Sequence, residues 1–184
     1  TGITEDFGWS PEKISEREIE IEKVSKFFNF DKVYNLKLPT TKLDTLPIGS
    51  IVQKISDVIV DFSPDEILVP HLGDVHTDHH VVHNAVVSCT KWFRYPFIKK
   101  ILSYETISET DFGLDFSRQF SPNVFVDISS FLDDKIKIMS VYSSELDVFP
   151  FPRSKISIES LARYRGSSSG FKAAEAFQLL RERI

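Results

Sequence analysis

The sequence predicts a single layered α/β unit over residues 1–184. Segments whose apolar residues recur at helical spacing alternate along the chain with short apolar or alternating segments that are typical of strands. No internal repeat, low-complexity tract or long polar linker separates two domains. With 184 residues, 41% of them hydrophobic, the chain is long enough to bury a core without disulfides or a structural metal.

The first third of the chain predicts two helices around one strand. Residues 10–30 place apolar side chains at helical spacing, with Ser10 as N-cap and Pro11 in the first turn. Residues 33–38 alternate as a short strand, and a turn-rich loop follows them. Residues 51–62 carry an apolar stripe, which predicts the second helix.

The remaining segments continue this alternation. Residues 65–70 form a short apolar run that predicts a buried strand, and this strand leads into a loop rich in His and Asp. In open α/β sheets, ligands bind at this end of the strands. The later segments predict helices from 78 or 79 to 92, over 131–142 with Ser129 or Ser130 as cap, and over 158–165, strands over 100–107 and 124–128, and either a helix or a strand over 173–180.

Composition and charge exclude several classes of function. The 22 basic and 27 acidic residues give a net charge of −5, and no basic stripe is present to neutralise a phosphate backbone, so nucleic acid is not an expected partner. No apolar run approaches the roughly 20 residues that cross a bilayer. Cys89 is the only cysteine, which excludes an internal disulfide and is compatible with a reducing compartment. We therefore predict a cytoplasmic protein without a membrane span.

All five histidines lie within thirteen residues and are interleaved with two aspartates. Neutral imidazole is the commonest metal ligand and carboxylates complete many zinc and iron sites, so such a run after a strand favours a hydrolytic metal centre. On a helix that begins near His76, four of the histidines share one face. The run comprises His71, Asp74, His76, Asp78, His79, His80 and His83.

A purely structural role for this run is the alternative. In that interpretation Asp74 or Asp78 is an N-cap at a solvated helix start, and the imidazoles bond the backbone. His83 lies a turn deeper into an amphipathic helix and His71 directly follows Pro70, which favours structural roles for both. Two other metal-site patterns do not fit the sequence. Metallo-β-lactamase-type hydrolases need further histidine ligands later in the chain, and no histidine follows His83. The H-E-x-x-H spacing of another class of zinc enzymes is also absent.

One segment of the run resembles a known family motif. His76-Thr77-Asp78-His79 matches the H-x-D-H motif of the PIG-L/LmbE-like de-N-acetylases, a zinc-dependent family. Other segments along nearly the whole chain resemble the same family. They are R-x-x-E at 17–20, P-x-x-F-V-D-I at 122–128, Lys135, Y-x-S-E at 142–145, R-x-R-G at 163–166 and A-E-A-F at 174–177.

The resemblance implies a fold, a cofactor and roles for four residues. The implied fold is a Rossmann-like three-layer sandwich with a mostly parallel sheet, and the implied cofactor is Zn²⁺, with other divalent metals compatible. His79 is implied as a zinc ligand. His76, oriented by Asp78, is implied as the charged or proton-donating partner at the reaction centre, and Arg17 as a residue that grips the substrate.

One part of the family pattern is missing from the sequence. Family members open with a strand that ends in A-H-P-D-D-E, which supplies the other two zinc ligands and the general base, and no such motif is present here. Thr1-Gly2 resembles the T-D/N-G that ends the family's second strand, so the first strand is expected to be absent. We expect a fragment of a longer active protein in preference to a natural variant without catalysis, because losing a strand exposes an unpaired sheet edge.

The leading hypothesis from the resemblance is a metal-dependent hydrolase that cleaves a linear amide C–N bond. It would remove the N-acetyl group from an N-acetylated amino sugar or sugar conjugate, a small-molecule partner, and a homo-oligomer is compatible with the sequence. Two alternatives stay open: an inactive sugar-binding or scaffold relative that keeps the fold, and another zinc amidohydrolase. The residues without an assigned role are Asp74, His71, His80 and His83.

Overall fold

A computed structural model describes residues 2–3 and 8–184 of the chain. These residues divide into two compact units. The first comprises the described residues up to Thr40 together with Asp127–Glu175, and the second comprises Thr41–Val126 together with Ala176–Ile184. The expectation of one domain over residues 1–184 stays a prediction.

Helices and strands alternate along the chain. The helices are α1 (Pro11–Phe28), α2 (Ile48–Phe62), α3 (Thr77–Ser88), α4 (Leu132–Met139) and α5 (Lys155–Ser167), and the strands are β1 (Glu66–Pro70), β2 (Lys100–Tyr104), β3 (Val124–Asp127) and β4 (Ala174–Glu182). This order confirms the predicted α/β class. None of the helices in the described part of the chain is long and apolar enough to cross a membrane.

The second unit holds most of a mixed four-stranded sheet, in the order β1-β2-β4-β3. β1 and β2 pair in parallel, with Pro70 opposite Tyr104, whereas β4 pairs with β2 in the antiparallel sense. The carboxyl ends of β1 and β2 therefore meet at one edge of the sheet. The residues that follow these two strands are brought close together at that edge.

Buried apolar side chains hold α2 and α3 against the sheet. The central cluster comprises Ile59, Cys89, Tyr95, Ile98 and Ile101. Burial raises the pKa of the Cys89 thiol. A thiol with a raised pKa is a poor nucleophile, so Cys89 serves packing.

The first predicted helix is confirmed together with its cap. Ser10 is the N-cap of α1, and its side chain accepts the N–H of Lys13 at 3.4 Å. Pro11 occupies the first turn, where its missing N–H costs no helical hydrogen bond. The helix ends at Phe28, two residues before the predicted end, because Asn29 adopts a left-handed conformation with φ of 51°.

The predicted strand over residues 33–38 is wrong. Asn35 Oδ1 accepts the N–H of Lys37 at 3.0 Å, and Lys37 takes a positive φ of 48°, which interrupts an extended run. A single parallel bridge between Gly2 and Pro39 is the pairing described here. Thr1, the first residue of the segment that resembles the end of a family strand, lies outside the described residues.

The other predicted elements are present with shifted ends. α2 begins at Ile48 rather than at residue 51, and α3 ends at Ser88 rather than at residue 92. β2 ends at Tyr104 rather than at residue 107, and α5 extends beyond both predicted ends. Residues 173–180, for which helix and strand were both open, belong to the strand β4.

The predicted serine cap of α4 is also wrong. The N-cap is Phe131, which makes no side-chain capping bond. Ser129 instead donates its hydroxyl to Asp127 Oδ1, and its N–H bonds the same oxygen at 2.9 Å. The short side chains therefore form a local turn at the end of β3 rather than a helix cap.

Candidate functional site

The histidine run lies where β1 ends. β1 leads through residues 71–76 directly into α3, so the run follows the carboxyl end of a parallel strand. His76 is the N-cap of α3, and its Nδ1 accepts the N–H of Asp78 at 3.1 Å. A residue of the H-x-D-H segment thus fixes the first turn of the helix that carries the rest of that segment.

His79, in the first turn of α3, is held by a carboxylate of the preceding loop. Its Nδ1 lies 2.7 Å from Asp74 Oδ2. The Asp74 side chain is fully buried, whereas 25% of the His79 side chain is exposed. Because an ionised carboxylate only accepts hydrogen bonds, Nδ1 carries a proton, and in the neutral ring the lone pair is therefore on Nε2. A carboxylate that orients a histidine in this way is common around metal-ligating histidines.

Asp74 also binds a segment that follows β2. Thr110 Oγ1 donates to Asp74 Oδ1 at 2.6 Å, so both carboxylate oxygens accept a hydrogen bond from a side chain. Burial, and in addition the negative charge of Asp74, raises the pKa of Tyr104. The buried carboxylate is therefore satisfied by hydrogen bonds and keeps Tyr104 protonated.

The other three histidines bond the backbone. The pairs are His71 Nε2 with the Arg118 carbonyl at 2.8 Å, His83 Nδ1 with the Pro70 carbonyl at 2.9 Å, and His80 Nε2 with the Asp74 carbonyl. These bonds tie the loop to α3 and to the segment after β2. They agree with the structural roles that the sequence favours for His71 and His83.

His76 and His79 form a pair with a different character. Their rings stack with centroids 5.0 Å apart and an angle of 20° between the planes. The hydrogen bonds of both rings are made through Nδ1, and no hydrogen bond from the described part of the chain reaches Nε2 of either. Two neighbouring imidazoles thus each offer one ring nitrogen to a ligand.

Asp78 is placed differently from the expectation. Its buried carboxylate accepts the N–H of Thr41 at 2.7 Å and the N–H of Leu43 at 3.1 Å. The contact that orients the His76 ring comes from the backbone N–H of Asp78 rather than from these oxygens. The carboxylate therefore anchors the turn before α2, and its catalytic role stays a prediction.

The segment that contains the histidine run matches a known family. Residues 4–90 match the family model of PIG-L, described as GlcNAc-PI de-N-acetylase. The predicted resemblance to the PIG-L family is confirmed. No curated protein matches the chain.

Solved structures share the PIG-L-like fold of this chain. The conserved protein TT1542 from Thermus thermophilus is 23% identical, with a TM-score of 0.74 over 96% of this chain and 76% of its own. N,N'-diacetylchitobiose deacetylase from Pyrococcus horikoshii is 17% identical, with a TM-score of 0.72 over 91% and 64%. GalB, the 4-carboxy-2-hydroxymuconate hydratase from Pseudomonas putida, is 14% identical, with a TM-score of 0.66 over 96% and 76%. At these identities, the likeness establishes the fold alone.

Arg17, which the PIG-L resemblance implies as a substrate residue, lies in the first unit. Its Nη2 is 2.6 Å from Glu145 Oε1, and its Nε is 3.4 Å from Glu20 Oε2. The guanidinium also lies over the Tyr142 ring, 5.2 Å from the centroid. Within its unit, Arg17 thus joins the R-x-x-E segment to the Y-x-S-E segment, and its contact with substrate stays a prediction.

A second pair of PIG-L-like segments meets in the same unit. Lys135 Nζ lies 2.6 Å from Glu175 Oε1, which belongs to the A-E-A-F segment. Both side chains are about 40% exposed, so screening by solvent leaves this pair a small contribution to stability. This ion pair links two of the segments that resemble the family outside the H-x-D-H run.

A PIG-L-type site is expected to hold a metal, and the donors present fit this expectation in part. His79 offers Nε2 from a ring fixed by Asp74, which suits Zn²⁺. Within residues 2–3 and 8–184, no group of three or more His, Cys, Asp or Glu side chains is arranged to hold a metal ion. A catalytic zinc site has three protein ligands, and His79 is a donor that Asp74 already holds in place.

Gly73 allows the loop after β1 to approach the segment after β2. A Cβ atom at this position would collide with the Arg118 carbonyl and would lie 2.7 Å from His71 Nε2. The N–H of Val75 bonds the Glu109 carbonyl at 3.1 Å and strengthens the same contact. The close approach brings Thr110 within reach of Asp74.

We expect Gly73→Ala to destabilise the protein by about 1–3 kcal/mol, because backbone must move to make room for the methyl group. Urea denaturation of the variant measures this loss. Gly49→Ala is the matched control, since Gly49 lies in α2 with nothing within 4 Å of the added Cβ. That change should stabilise by about 0.5–1 kcal/mol, and equal effects of both substitutions would contradict the prediction.

The surroundings of His83 shift its pKa. Burial lowers its pKa below the ordinary value of 6.5, and this effect outweighs the hydrogen bond to the Pro70 carbonyl, which acts in the opposite direction. The positive charges of His71 and His80 lower the pKa further, whereas Asp74 raises it. His83 is therefore held neutral in the folded chain.

We expect the folded protein to lose stability as the pH falls below 6.5. Above that pH His83 is neutral in both states and its contribution is complete. Below it the unfolded chain takes up a proton first, so the free energy of unfolding falls until the lowered folded pKa is passed. Urea denaturation at about pH 7.5 and about pH 5.5 measures the loss. His83→Gln, which keeps a donor for the Pro70 carbonyl, should lose less over this interval, and an equal loss would contradict the assignment.

Two residues of the site were missed by sequence reasoning. Asp74 had no assigned role, although an aspartate five residues before a candidate ligand in a His-rich loop is a usable signal. Thr110 lies 36 residues further along the chain, and nothing in the local sequence distinguishes it from the other threonines. Its contact with Asp74 depends on the parallel pairing of β1 and β2.

Proposed function

We propose that this chain belongs to a zinc-dependent de-N-acetylase that hydrolyses the N-acetyl group of an N-acetylated amino sugar or sugar conjugate. The observation that carries the proposal is the stacked His76–His79 pair, which offers two ring nitrogens at the carboxyl end of β1. This pair lies inside the segment that matches the de-N-acetylase family model. The likeness to a structure named N,N'-diacetylchitobiose deacetylase supports an amino sugar as substrate.

The proposed reaction is the addition of water across an amide bond. The oxygen of water bonds to the acetyl carbonyl carbon, the C–N bond breaks, and one proton of the water ends on the leaving nitrogen. The products are acetate and a free amine. A bound Zn²⁺ supplies the polarisation of the carbonyl and of the water that makes this attack feasible at neutral pH.

His79 is proposed as the zinc donor of this chain. Its Nδ1–H is engaged by Asp74, so the lone pair available to a metal is on Nε2. The Nε2 of the adjacent His80 bonds the Asp74 carbonyl, so this nitrogen is not available to a metal. The hydrogen bonds of the loop thus support His79 rather than its neighbour His80 as the ligand.

His76 is proposed to bind the oxyanion that forms when water adds to the carbonyl. Because Nδ1 accepts the N–H of Asp78, the neutral ring carries its proton on Nε2. In a charged ring the Nδ1–H of His76 would face the N–H of Asp78. The helix cap therefore supports the neutral ring, which donates a hydrogen bond from Nε2. A donor aimed at the developing negative charge stabilises the transition state more than the substrate.

A catalytically inactive relative that keeps sugar binding is the second candidate. It is favoured by the donor count, because the described residues hold one prepared metal donor rather than three. GalB, a hydratase of the same fold, is a further reason to test the reaction directly, since a shared fold does not decide the chemistry.

The deciding experiment uses the purified full-length protein that contains this chain. It is incubated with N-acetylglucosamine and with N,N'-diacetylchitobiose, before and after removal of metal with a chelator and again after addition of Zn²⁺. The proposal predicts acetate and free amine in equal amounts, lost with the chelator and restored by Zn²⁺. Sugar binding without acetate release under all conditions would favour the inactive relative, and amine release that is indifferent to the chelator would exclude the zinc mechanism.

A further inference from the structure

The hydrogen bonds around Asp74 converge on its carboxylate. The Thr106 N–H donates to Thr110 Oγ1 at 2.8 Å, and Thr110 Oγ1 donates to Asp74 Oδ1 at 2.6 Å. The other carboxylate oxygen accepts the Nδ1–H of His79 at 2.7 Å. Because the carboxylate has no proton to give, the direction of each bond is set, and both Thr110 and His79 donate to Asp74.

The bond to Asp74 fixes the tautomer of the neutral His79 ring as well as its position. A neutral imidazole carries its proton on either nitrogen, and it binds a metal through the other one. Asp74 keeps the proton of the neutral His79 ring on Nδ1, so the lone pair stays on Nε2. Nε2 makes no hydrogen bond with the described residues. The Asp74 side chain is completely buried, so water does not replace it in this contact.

We propose that Asp74 and Thr110 are positioning residues that fix the tautomer and the orientation of His79 for metal binding. This inference rests on the proposed function in naming His79 as a zinc ligand. It adds two residues outside the H-x-D-H segment, one of which comes from the region after β2. Thr110 acts through Asp74, whose Oδ1 it holds so that Oδ2 faces His79.

Further contacts hold the loop after β1 against the segment after β2. Gly73 permits the close approach of the Arg118 carbonyl, and His80 Nε2 holds the backbone carbonyl of Asp74. The loop is therefore fixed on both sides of the carboxylate. A shift of the segment after β2 would move Thr110 and, through it, the His79 ring.

The first test measures the His79 tautomer by NMR without metal and without substrate. Two-bond ¹H–¹⁵N correlations of the imidazole rings, recorded at about pH 8 where histidine is neutral, identify the protonated nitrogen. The full-length wild-type protein is expected to have the His79 proton on Nδ1. Asp74→Ala should release this preference, and Asp74→Asn should restore it, because the amide oxygen still accepts the bond.

Thr110→Val and Thr90→Val form a matched pair of variants. Thr110→Val removes the donor to Asp74 and should weaken the Nδ1–H preference, whereas Thr110→Ser should keep it. Thr90 bonds the Val87 carbonyl through its hydroxyl at the far end of α3. Thr90→Val therefore removes one hydrogen bond of similar burial and should leave the His79 ring signals unchanged. A change of the His79 ring signals in Thr90→Val but not in Thr110→Val would overturn the positioning role of Thr110.

The second test measures zinc affinity by competition with a chromophoric chelator. Loss of an outer carboxylate partner weakens metal binding by about 10–100-fold, and we expect Asp74→Ala to fall in this range with a smaller loss for Thr110→Val. A folded Asp74→Ala protein that keeps both the wild-type tautomer and the wild-type zinc affinity would overturn the inference. A tautomer that changes without any loss of zinc affinity would overturn it as well.

These outcomes are separate from those of the proposed function. If the tautomer and the zinc affinity do not depend on Asp74 while the wild-type protein still releases acetate in a zinc-dependent manner, the inference is wrong and the function stands. If the tautomer and zinc affinity follow Asp74 while no N-acetyl sugar is hydrolysed, the positioning role stands and the proposed reaction is wrong.

Discussion

His79→Ala in the full-length protein is expected to lose both tight zinc binding and turnover. The substitution removes Nε2, the donor that the Asp74 contact prepares, and leaves a buried carboxylate with one hydrogen-bond partner fewer. A three-ligand site that loses one ligand does not hold the metal in catalytic geometry. Metal analysis after dialysis and an acetate-release assay measure the two losses.

The control for this prediction is a second histidine of the same run. His83 bonds the Pro70 carbonyl from the interior of α3 and has no proposed part in the reaction. His83→Gln is therefore expected to retain one zinc per chain in the folded fraction. A His79→Ala protein that still carries zinc in the wild-type ratio would show that the ligand has been assigned to the wrong histidine.

Local sequence signals predicted the elements that local chemistry controls. α1 begins at the predicted cap because Ser10 and Pro11 each act on their own first turn. β1 and the run that follows it were predicted because a short apolar strand beside a cluster of histidines is visible without any tertiary information. The H-x-D-H segment drew attention to His76 and His79, whose rings stack and make their hydrogen bonds through Nδ1.

The errors share one physical cause, which is competition between short polar side chains and regular structure. Over residues 33–38 the apolar alternation predicted a strand, but Asn35 captures the N–H of Lys37 and turns the backbone. Near residue 129 the presence of serine predicted a cap, but the Ser129 hydroxyl donates to Asp127 Oδ1 instead. In both places a side chain two residues away decided the conformation.

The surroundings of His76 and His79 were harder to predict than the histidines themselves. Asp78 stands in the motif, yet its carboxylate binds the backbone of Thr41 and Leu43 rather than taking the expected place beside the His76 ring. The partner that holds His79 is Asp74, and the residue that holds Asp74 follows a different strand. Contacts of this kind follow from sheet topology, and a motif of four residues does not contain them.

His76→Ala is expected to leave zinc bound while kcat falls about 10²–10³-fold, the effect of removing one hydrogen-bond donor to an oxyanion. The substitution has a second consequence, because His76 is also the N-cap of α3. Loss of a cap costs about 0.5–2 kcal/mol and loosens the turn that carries His79. A fall in activity of His76→Ala alone therefore does not separate chemistry from structure.

His76→Asn separates the two effects. Asparagine is a strong N-cap and keeps an acceptor for the Asp78 N–H, but it places no donor where Nε2 of the imidazole lies. We expect His76→Asn to unfold at nearly the wild-type urea concentration, to bind zinc as the wild type does, and to lose kcat as severely as His76→Ala. If His76→Asn instead recovered most of the activity, the capping bond would be the whole contribution of His76, and the oxyanion would have to be stabilised by another group. The comparison of kcat between the two variants, together with their urea midpoints, decides which of these roles His76 has.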